Sequence, residues 1–435
     1  MQLEGWKTAP KGDTHEFAKK RGGKARKVRN AAITRLASAE CVEQLRKGRY
    51  TDYSGFLKDE ALPVPDEPDG IVKQARAIHC FKPEINALVD LYIGPIEDAV
   101  YRHFPVAKHC DDQRVAELVA HGFLPGYVAY GTDISGFDRS VNPTLRQTVL
   151  RAIQHVTGLP PDIQRPGTCR MRYFEFRDEG SVHSGERGTS FYAVLIIVGI
   201  QHWYARRSGV RFSYTNCGDD NLVYTDDPRV AEGVCESMRR FGLDVRVEGQ
   251  YQTPDTTLFL SRYWYNGRAQ PDFWRAWGKL ACLKLTPDDP RFGPWFRSKC
   301  DAYYSQYAHT PILAAVLRAV QSGTCTLDPT DPEADEAWGR LRDGAVFVQR
   351  EYGRDYVTEA DRQWFAYMYG ITPEQQLELE SHLASVIQYP SRYCGCLDIS
   401  SAAFPNHDKA IQVLQSIRAV PWRAAKTGRE GHLPV

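Results

Sequence analysis

The chain has 435 residues, of which 42% are hydrophobic and 25% are charged, with 55 basic and 54 acidic side chains. This composition is typical of a folded globular protein, so a disordered chain is not the expectation. The eleven cysteines are scattered along the sequence and favour a reducing compartment over a disulfide framework.

Positive charge is concentrated at the beginning of the chain. Residues 1–50 contain 13 Lys and Arg but only 5 Asp and Glu, and the densest run is KKRGGKARKVR at residues 19–29. Taken alone, this run fits a solvated arm as well as it fits a phosphate-binding surface, where clustered Lys and Arg gain from counterion release. If this run binds the phosphates of a nucleic acid such as RNA, the binding side chains are expected to be Lys19, Lys20, Arg21, Lys24, Arg26 and Lys27.

Strong local signals for strands and helices fill residues 125–285. The run GYVAYGTDI predicts a strand, and a helix is expected between Asn142-Pro143 and Gly158. The apolar run FYAVLIIVGI, at residues 191–200, is too short to span a bilayer and predicts a buried helix. No secretory signal or transmembrane segment is expected.

Two hairpins follow in the same region. FSYTNCGDDNLVYTDD predicts a hairpin with Asp219 and Asp220 at its tip, and Asp227-Pro228 then begins a helix that ends near Gly242. A second hairpin is expected around Asn266-Gly267. Beyond residue 286 the pattern is mostly helical. The sequence therefore predicts an α+β protein with an antiparallel sheet followed by a helical region.

Four aspartates carry the chemistry of the predicted sheet. Asp133 ends the first strand, Asp138 follows it in GTDISGFDRS, and Asp219 and Asp220 form the hairpin tip. If the two strands are neighbours, these carboxylates converge and repel one another, a conflict that divalent cations resolve. Mg²⁺ prefers such hard oxygen ligands, and a pair of ions ~4 Å apart can drive transfer of a nucleotidyl group.

These motifs resemble those of viral RNA-dependent RNA polymerases. DISGFD, SGERGT (residues 184–189) and CGDDN are similar to the first three palm motifs of that family, in the right order. FLKDE and the stretch from Ala75 to Tyr101 are closest to the tombusvirus-like positive-strand RNA virus replicases. LFLSRYW and KLACLK are similar to their primer-grip hairpin. The resemblance covers roughly residues 15–320.

The resemblance implies a right-hand polymerase fold. Fingers are expected at residues 1–126 with the basic region, the palm at 127–285 with a fingers segment around 143–182, and a thumb with a C-terminal tail at 286–435. The implied activity is RNA synthesis on a viral RNA template from ribonucleoside triphosphates, with two Mg²⁺ or Mn²⁺ ions.

The resemblance also implies roles for individual residues. Catalysis falls to Asp133, Asp219 and Asp220, which are also metal ligands together with the carbonyl oxygen of Ile134. The nucleotide-binding residues it implies are Lys58, Arg76, Lys82, Asp138, Ser184, Gly185, Thr189 and Asn221. Asp138 is expected to face the ribose, and Lys58 and Arg76 to clamp the triphosphate.

Two departures from the family pattern keep alternatives open. Ala193 stands where the family carries an asparagine that pairs with the residue corresponding to Asp138, and Asn221 and Ser190 are candidate substitutes. No lysine lies between Asn221 and Phe259, so the general acid stays unassigned. A reverse transcriptase-like polymerase and a non-catalytic RNA-binding replication factor are the alternatives.

The resemblance further implies a location and partners. The expected partners are an RNA template, the nascent strand and nucleoside triphosphates. A separate membrane-tethering replication protein is expected to bring the chain to membrane-associated replication sites in the host cytoplasm.

Overall fold

The structure, a computed structural model, contains both helices and sheets. It describes residues 38, 40, 43, 53–57, 77–159, 168–170, 175–177, 182–183, 185–281, 292–322 and 355–387. The predicted α+β character is therefore confirmed. The chain divides into two compact units, the first made of residues 1–108 and 121–249 and the second of residues 109–120 and 250–435.

The first unit contains a small four-stranded sheet in the order β2-β1-β4-β5. Its strands are β1 (Tyr53–Leu57), β2 (Ala77–Cys80), β4 (Thr168–Arg170) and β5 (Glu175–Arg177). Strand β1 runs antiparallel to β2 and parallel to β4. This sheet brings chain segments that are more than 100 residues apart in sequence into register.

A second four-stranded sheet has the order β6-β7-β3-β8. Its strands are β3 (Val128–Ile134), β6 (Ser213–Cys217), β7 (Asp220–Thr225) and β8 (Val245–Tyr251). Strand β7 is antiparallel to both β3 and β6. The strand predicted from GYVAYGTDI and the hairpin predicted from FSYTNCGDDNLVYTDD are thus neighbours in one sheet.

Helices of the first unit share an apolar core with this sheet. They are α1 (Pro83–His103), α3 (Phe137–Ser140), α4 (Pro143–Thr157), α5 (Thr189–Ser208) and α6 (Pro228–Arg240), while α2 (Asp112–Gly122) lies mostly in the second unit. Val223 of β7, Val194 and Ile197 of α5, and Val234 of α6 belong to one cluster of buried residues.

Helix ends follow the predicted capping signals. The Asn142 side chain accepts a hydrogen bond from the Leu145 backbone N–H at 2.9 Å, and Gly158 closes α4 with a φ of 71°. Asp227 caps α6 in the same way, by accepting from the Arg229 N–H at 2.9 Å. Side chains with a hydrogen-bond acceptor favour the first position because the leading N–H groups have no partner within the helix.

Helix α5 is buried, as the apolar run within it predicts. Phe191, Val194 and Ile197 have 0% of their surface exposed. In the part of the chain that the structure describes, no helix combines the length and the apolar character that a membrane crossing requires.

The second unit joins a small sheet to a group of helices. Strands β9 (Leu258–Phe259), β10 (Arg262–Tyr265) and β11 (Arg268–Pro271) lie in the order β11-β10-β9. The helices are α7 (Phe273–Ala281), α8 (Phe292–Tyr307), α9 (Leu313–Ser322), α10 (Glu359–Tyr369) and α11 (Pro373–Ile387). Asn266 and Gly267 both have positive φ, as a tight two-residue hairpin turn requires.

The second unit resumes at residue 250, and the palm–thumb boundary at residues 285–286 stays a prediction. The small sheet and the later helices have a common core: Tyr263 of β10 is buried in one cluster with Phe273 of α7, Leu317 of α9 and Phe365 of α10. The β9–β11 sheet therefore belongs with the helices that follow it.

Candidate active site

The hairpin tip presents two adjacent carboxylates to solvent. Cys217 of β6 pairs with Asp220 of β7, so Gly218 and Asp219 form a two-residue turn between the strands. Gly218 has a φ of 76°, while Asp219 is not among the residues with positive φ. Glycine at the first turn position matches a hairpin turn of type II′. Asp219 and Asp220 are both exposed, as the sequence predicts.

Asp133 lies at the same end of the sheet. The last pair between β3 and β7 is Thr132 with Asn221, so the next residues along these strands are Asp133 and Asp220. The antiparallel register therefore brings Asp133 beside the hairpin tip. The two strands are neighbours, which is the condition under which the sequence predicts that these carboxylates converge.

Asp133 faces a basic side chain on the neighbouring edge strand. Arg246 of β8 places its Nη2 3.5 Å from the Asp133 Oδ2, and 3.6 Å from a carboxylate oxygen of Glu248. The side chains of Arg246 and Asp133 are 68% and 40% exposed. Exposed ion pairs of this kind contribute little free energy, so a cation or a phosphate group could displace this one at little cost.

The oxygen atoms at this end of the sheet are suitable ligands for a divalent cation. Asp133, Asp219 and Asp220 offer hard carboxylate oxygens, and Ile134 ends strand β3 beside them. Within the described ranges, no three His, Cys, Asp or Glu side chains are gathered into a cage that could hold a metal ion. Mg²⁺ commonly uses one or two carboxylates together with substrate phosphates and water, so a cage built only from protein is not required.

Asn221 points away from these carboxylates, so the structure does not bring it to the predicted nucleotide site. Its side chain is 2% exposed. Its Nδ2 donates to the Thr132 Oγ1 at 3.3 Å, and its Oδ1 accepts from the Gln201 Nε2 at 2.8 Å. Strand alternation is the reason, because Asn221 points to the face opposite that of its neighbour Asp220.

Asn216 and Gln201 are buried polar residues that hold the hairpin in place. The sequence analysis did not identify either of them. Both are fully buried. The Asn216 Nδ2 donates to the Gly218 carbonyl oxygen at 3.0 Å and so holds the turn. The available signal was a polar residue at an inward position of an apolar strand or helix.

The SGERGT segment forms a tight loop before α5. Thr189 donates its hydroxyl proton to two loop carbonyl oxygens, that of His183 at 2.7 Å and that of Glu186 at 2.8 Å. Gly185 has a φ of 102°, and a Cβ there would collide with the His79 carbonyl oxygen. Only glycine fits this position. The roles of Gly185 and Thr189 toward a nucleotide stay predictions.

Arg187 fastens the same loop to helix α1. Its guanidinium binds both Asp90 and Glu97, and its backbone N–H donates to the Asn86 Oδ1 at 3.0 Å. Burial alone would lower the pKa of Arg187, but the charges of Glu97 and Asp90 raise it. Arg187 therefore stays charged and ties the loop to the helix.

Asp138 lies in the short helix α3, close to a buried ion pair. The Arg146 Nη2 of α4 is 2.8 Å from the Glu186 Oε1, and both side chains are only 6% exposed. Burial raises the pKa of Glu186, Arg146 lowers it, and the charge of Asp138 raises it further.

For the other predicted site residues, the structure gives only the position in the fold and the burial. Lys82 is half-buried and directly precedes α1. Ala193 is buried in α5, and Ser190 is partly buried at its start. Several predictions lie outside the described residues, namely those for Lys58, Arg76, Ser184 and the basic side chains Lys19, Lys20, Arg21, Lys24, Arg26 and Lys27.

A curated viral protein is similar to most of this chain. No family model matches the chain. The chain is 24% identical to a protein named RNA-directed RNA polymerase from Pothos latent virus (isolate Pigeonpea/India). The match extends over 399 residues, which are 85% of this chain and 51% of the relative. The chain therefore spans about half the length of that curated relative.

Two solved structures are similar to part of the chain. One is the RNA-dependent RNA polymerase of a human picorbirnavirus, with a TM-score of 0.49 and 20% identity over 62% of this chain and 60% of that chain. The other is an insertion loop deletion mutant of the RNA-dependent RNA polymerase of a human picorbirnavirus, with a TM-score of 0.44 and 18% identity over 72% of this chain and 61% of that one.

Proposed function

We propose that this chain is an RNA-directed RNA polymerase of a tombusvirus-like positive-strand RNA virus. It copies viral RNA from ribonucleoside triphosphates by two-metal-ion nucleotidyl transfer. The observation that carries this proposal is the convergence of Asp133 with the Asp219–Asp220 tip at one edge of an antiparallel sheet. The similarity to a viral protein named RNA-directed RNA polymerase, over 85% of the chain, supports it.

The proposed reaction joins the RNA 3′ end to an incoming nucleotide. The 3′-hydroxyl oxygen attacks the α-phosphorus, the bond from this phosphorus to the bridging oxygen breaks, and pyrophosphate leaves. Two bound Mg²⁺ or Mn²⁺ ions would activate the attacking hydroxyl and stabilise the leaving pyrophosphate. Asp133, Asp219 and Asp220, with the Ile134 carbonyl, are the ligands that this chain supplies.

The remaining groups position the substrates. Lys58, Arg76 and Lys82 bind the triphosphate, and Asp138 faces the ribose. Arg246, beside Asp133, can stabilise negative charge on phosphate oxygens, but an arginine does not serve as a proton donor. Good alignment of attacking oxygen and phosphorus is a large part of catalysis in such reactions.

The finer layout belongs to the same proposal. The β6-β7-β3-β8 sheet is the palm, and residues 1–126 with the segment around 143–182 form the fingers. The helices after residue 286 form the thumb, and the basic side chains at residues 19–27 bind RNA. A separate tethering protein brings the enzyme to replication membranes in the host cytoplasm.

The test is incorporation of labelled nucleotide on a defined RNA template, with and without Mg²⁺. The proposal expects a product of template-encoded sequence that requires the divalent cation and disappears with EDTA. RNA binding unaffected by EDTA, with no product under Mg²⁺ or Mn²⁺ and with or without a primer, would instead favour a non-catalytic RNA-binding factor. Deoxynucleotide incorporation at least as efficient as ribonucleotide incorporation would favour a reverse transcriptase-like enzyme.

A further inference from the structure

The C-terminal end of helix α5 carries three exposed arginines, here called the arginine corner. Arg206 and Arg207 belong to the last turn of the helix, and Arg211 lies between the helix and strand β6. The sequence contains no aspartate or glutamate between Glu186 and Asp219. No acidic residue of this stretch of the chain therefore offsets the positive charge of the corner.

The neighbouring helix α6 also carries arginines, but these are paired with carboxylates. The ion pairs are Arg229 with Asp227, Arg239 with Glu232 and Arg240 with Glu236. In contrast, the arginine corner makes no ion pair with any residue that the structure describes. Its guanidinium groups, with five N–H donors each, are therefore available to an anionic ligand.

The helix dipole accounts for only part of this positive charge. Cations in the last turn of a helix interact favourably with its negative end, which explains Arg206 and Arg207. Arg211 lies beyond Gly209, which ends α5 with a φ of 71°, so it is outside the turn where the dipole acts. An anionic ligand would explain all three arginines together.

The arginine corner lies away from the proposed active site. The His202 Nε2 of α5 is 3.0 Å from the Tyr214 hydroxyl oxygen of β6. Further from the hairpin turn, the rings of Tyr204 and Phe212 are 6.2 Å apart. Helix and strand thus lead away from the turn together, and a rise of about 3.3 Å per strand residue places Arg211 roughly 15–20 Å from it.

An indole ring lies beside the arginine corner. Trp203 is 38% exposed, the Arg207 guanidinium carbon is 5.6 Å from its ring centroid, and Phe241 packs edge-on against it. Arginines that bind phosphates next to an aromatic ring that stacks on a base are typical of single-stranded nucleic acid sites. A membrane fits less well, because interfacial binding needs an inserted apolar face, and Trp203 is the only large hydrophobic side chain that α5 exposes.

We propose that Arg206, Arg207 and Arg211, together with Trp203, bind single-stranded RNA outside the proposed active site. The guanidinium groups hold phosphate oxygens through paired N–H donors, and the indole ring stacks on a base. The inference rests on the proposed function only for the choice of RNA as the nucleic acid. The arginine corner gives this chain a hold on RNA that does not depend on the catalytic carboxylates.

The test is binding of the full chain to a labelled oligouridylate of about 30 nucleotides, which is longer than one typical single-strand site. Fluorescence anisotropy in EDTA gives the association constant over a series of salt concentrations. The corner variant, Arg206→Gln/Arg207→Gln/Arg211→Gln, should lower this constant roughly tenfold or more at low salt. Each phosphate contact contributes about 0.7 to the salt slope, so the slope should become shallower by about 2.

The matched control is the α6 variant, Arg229→Gln/Arg239→Gln/Arg240→Gln. It removes the same charge from arginines that are already paired with carboxylates, so RNA binding and the salt slope should change far less. All six side chains are exposed, and thermal unfolding checks that both variants fold. Trp203→Leu should weaken binding about fivefold or more without changing the salt slope, because stacking carries no charge.

A shallower salt slope in the corner variant, with the α6 variant close to wild type, supports the proposal. Equal losses in both variants would overturn it, because net charge and not this corner would then be responsible. Unchanged RNA binding, with loss of binding to vesicles that contain phosphatidylserine, would overturn it in favour of an anionic membrane. Because binding is measured without catalysis, a wild type that makes no RNA would contradict the proposed function and leave this comparison intact.

Discussion

The Gln201 Nε2 donates a hydrogen bond to the Asn221 Oδ1 at 2.8 Å, and both side chains are buried. This bond joins the apolar helix α5 to the strand that begins at Asp220. The hairpin that presents the carboxylates therefore has a polar anchor inside an otherwise apolar core.

Replacing Gln201 by leucine should destabilise the protein by about 1–3 kcal/mol, because the Asn221 amide oxygen loses a buried donor. The free energy of unfolding from urea titration measures this effect. Arg206→Ala, at an exposed position of the same helix, is the control and should change stability by less than ~0.5 kcal/mol. Equal effects of the two substitutions would contradict the anchoring role.

The Gly185→Ala variant tests the close packing of the SGERGT loop. Alanine at position 185 must adopt a positive φ, and its methyl group also collides with the His79 carbonyl oxygen. Gly209→Ala, at the end of α5, has a positive φ but open space around it. Both variants bear a backbone cost of about 1–2 kcal/mol, and Gly185→Ala should lose a further ~1–3 kcal/mol through overpacking. Thermal unfolding of both variants measures the difference, and equal losses would rule out the contact with His79.

Arg187→Met should be among the most destabilising substitutions in the first unit. It removes the guanidinium that Asp90 and Glu97 share, and breaking a buried pair in this way costs about 3–5 kcal/mol. Adding Asp90→Asn and Glu97→Gln to the same variant should recover much of that loss, because no buried charge is then left without its cation. Denaturant titration of the single and triple variants checks this, and the absence of recovery would mean that Arg187 acts by packing alone.

Local signals predicted much of the fold around the site. The cap at Asn142, the glycine at Gly158 and the Asn266-Gly267 turn each depend on a few neighbouring residues, and the structure has all three. The position of Asp133 beside Asp220 agrees with the sequence analysis, which expects these carboxylates to converge if the two strands are neighbours.

Long-range contacts of polar residues could not be predicted in this way. Asn221 looked available for a nucleotide, yet the register turns it toward Gln201, 20 residues away along the chain. Arg146 and Glu186 are 40 residues apart, and no periodic pattern links them. Nor did local signals predict the core that the β9–β11 sheet shares with helices far along the chain.

The most direct test of the central claim is RNA synthesis by Asp219→Asn on a defined template with Mg²⁺. Asp226→Asn, at the exposed position directly after the other end of strand β7, is the matched control with the same loss of charge. Because Asp219 stands at the tip beside Asp133, its variant should lose roughly 100-fold or more in rate, while the Asp226 variant should keep nearly the full rate. Equal activity of wild type and folded Asp219→Asn would contradict the assignment of this edge of the sheet as the active site.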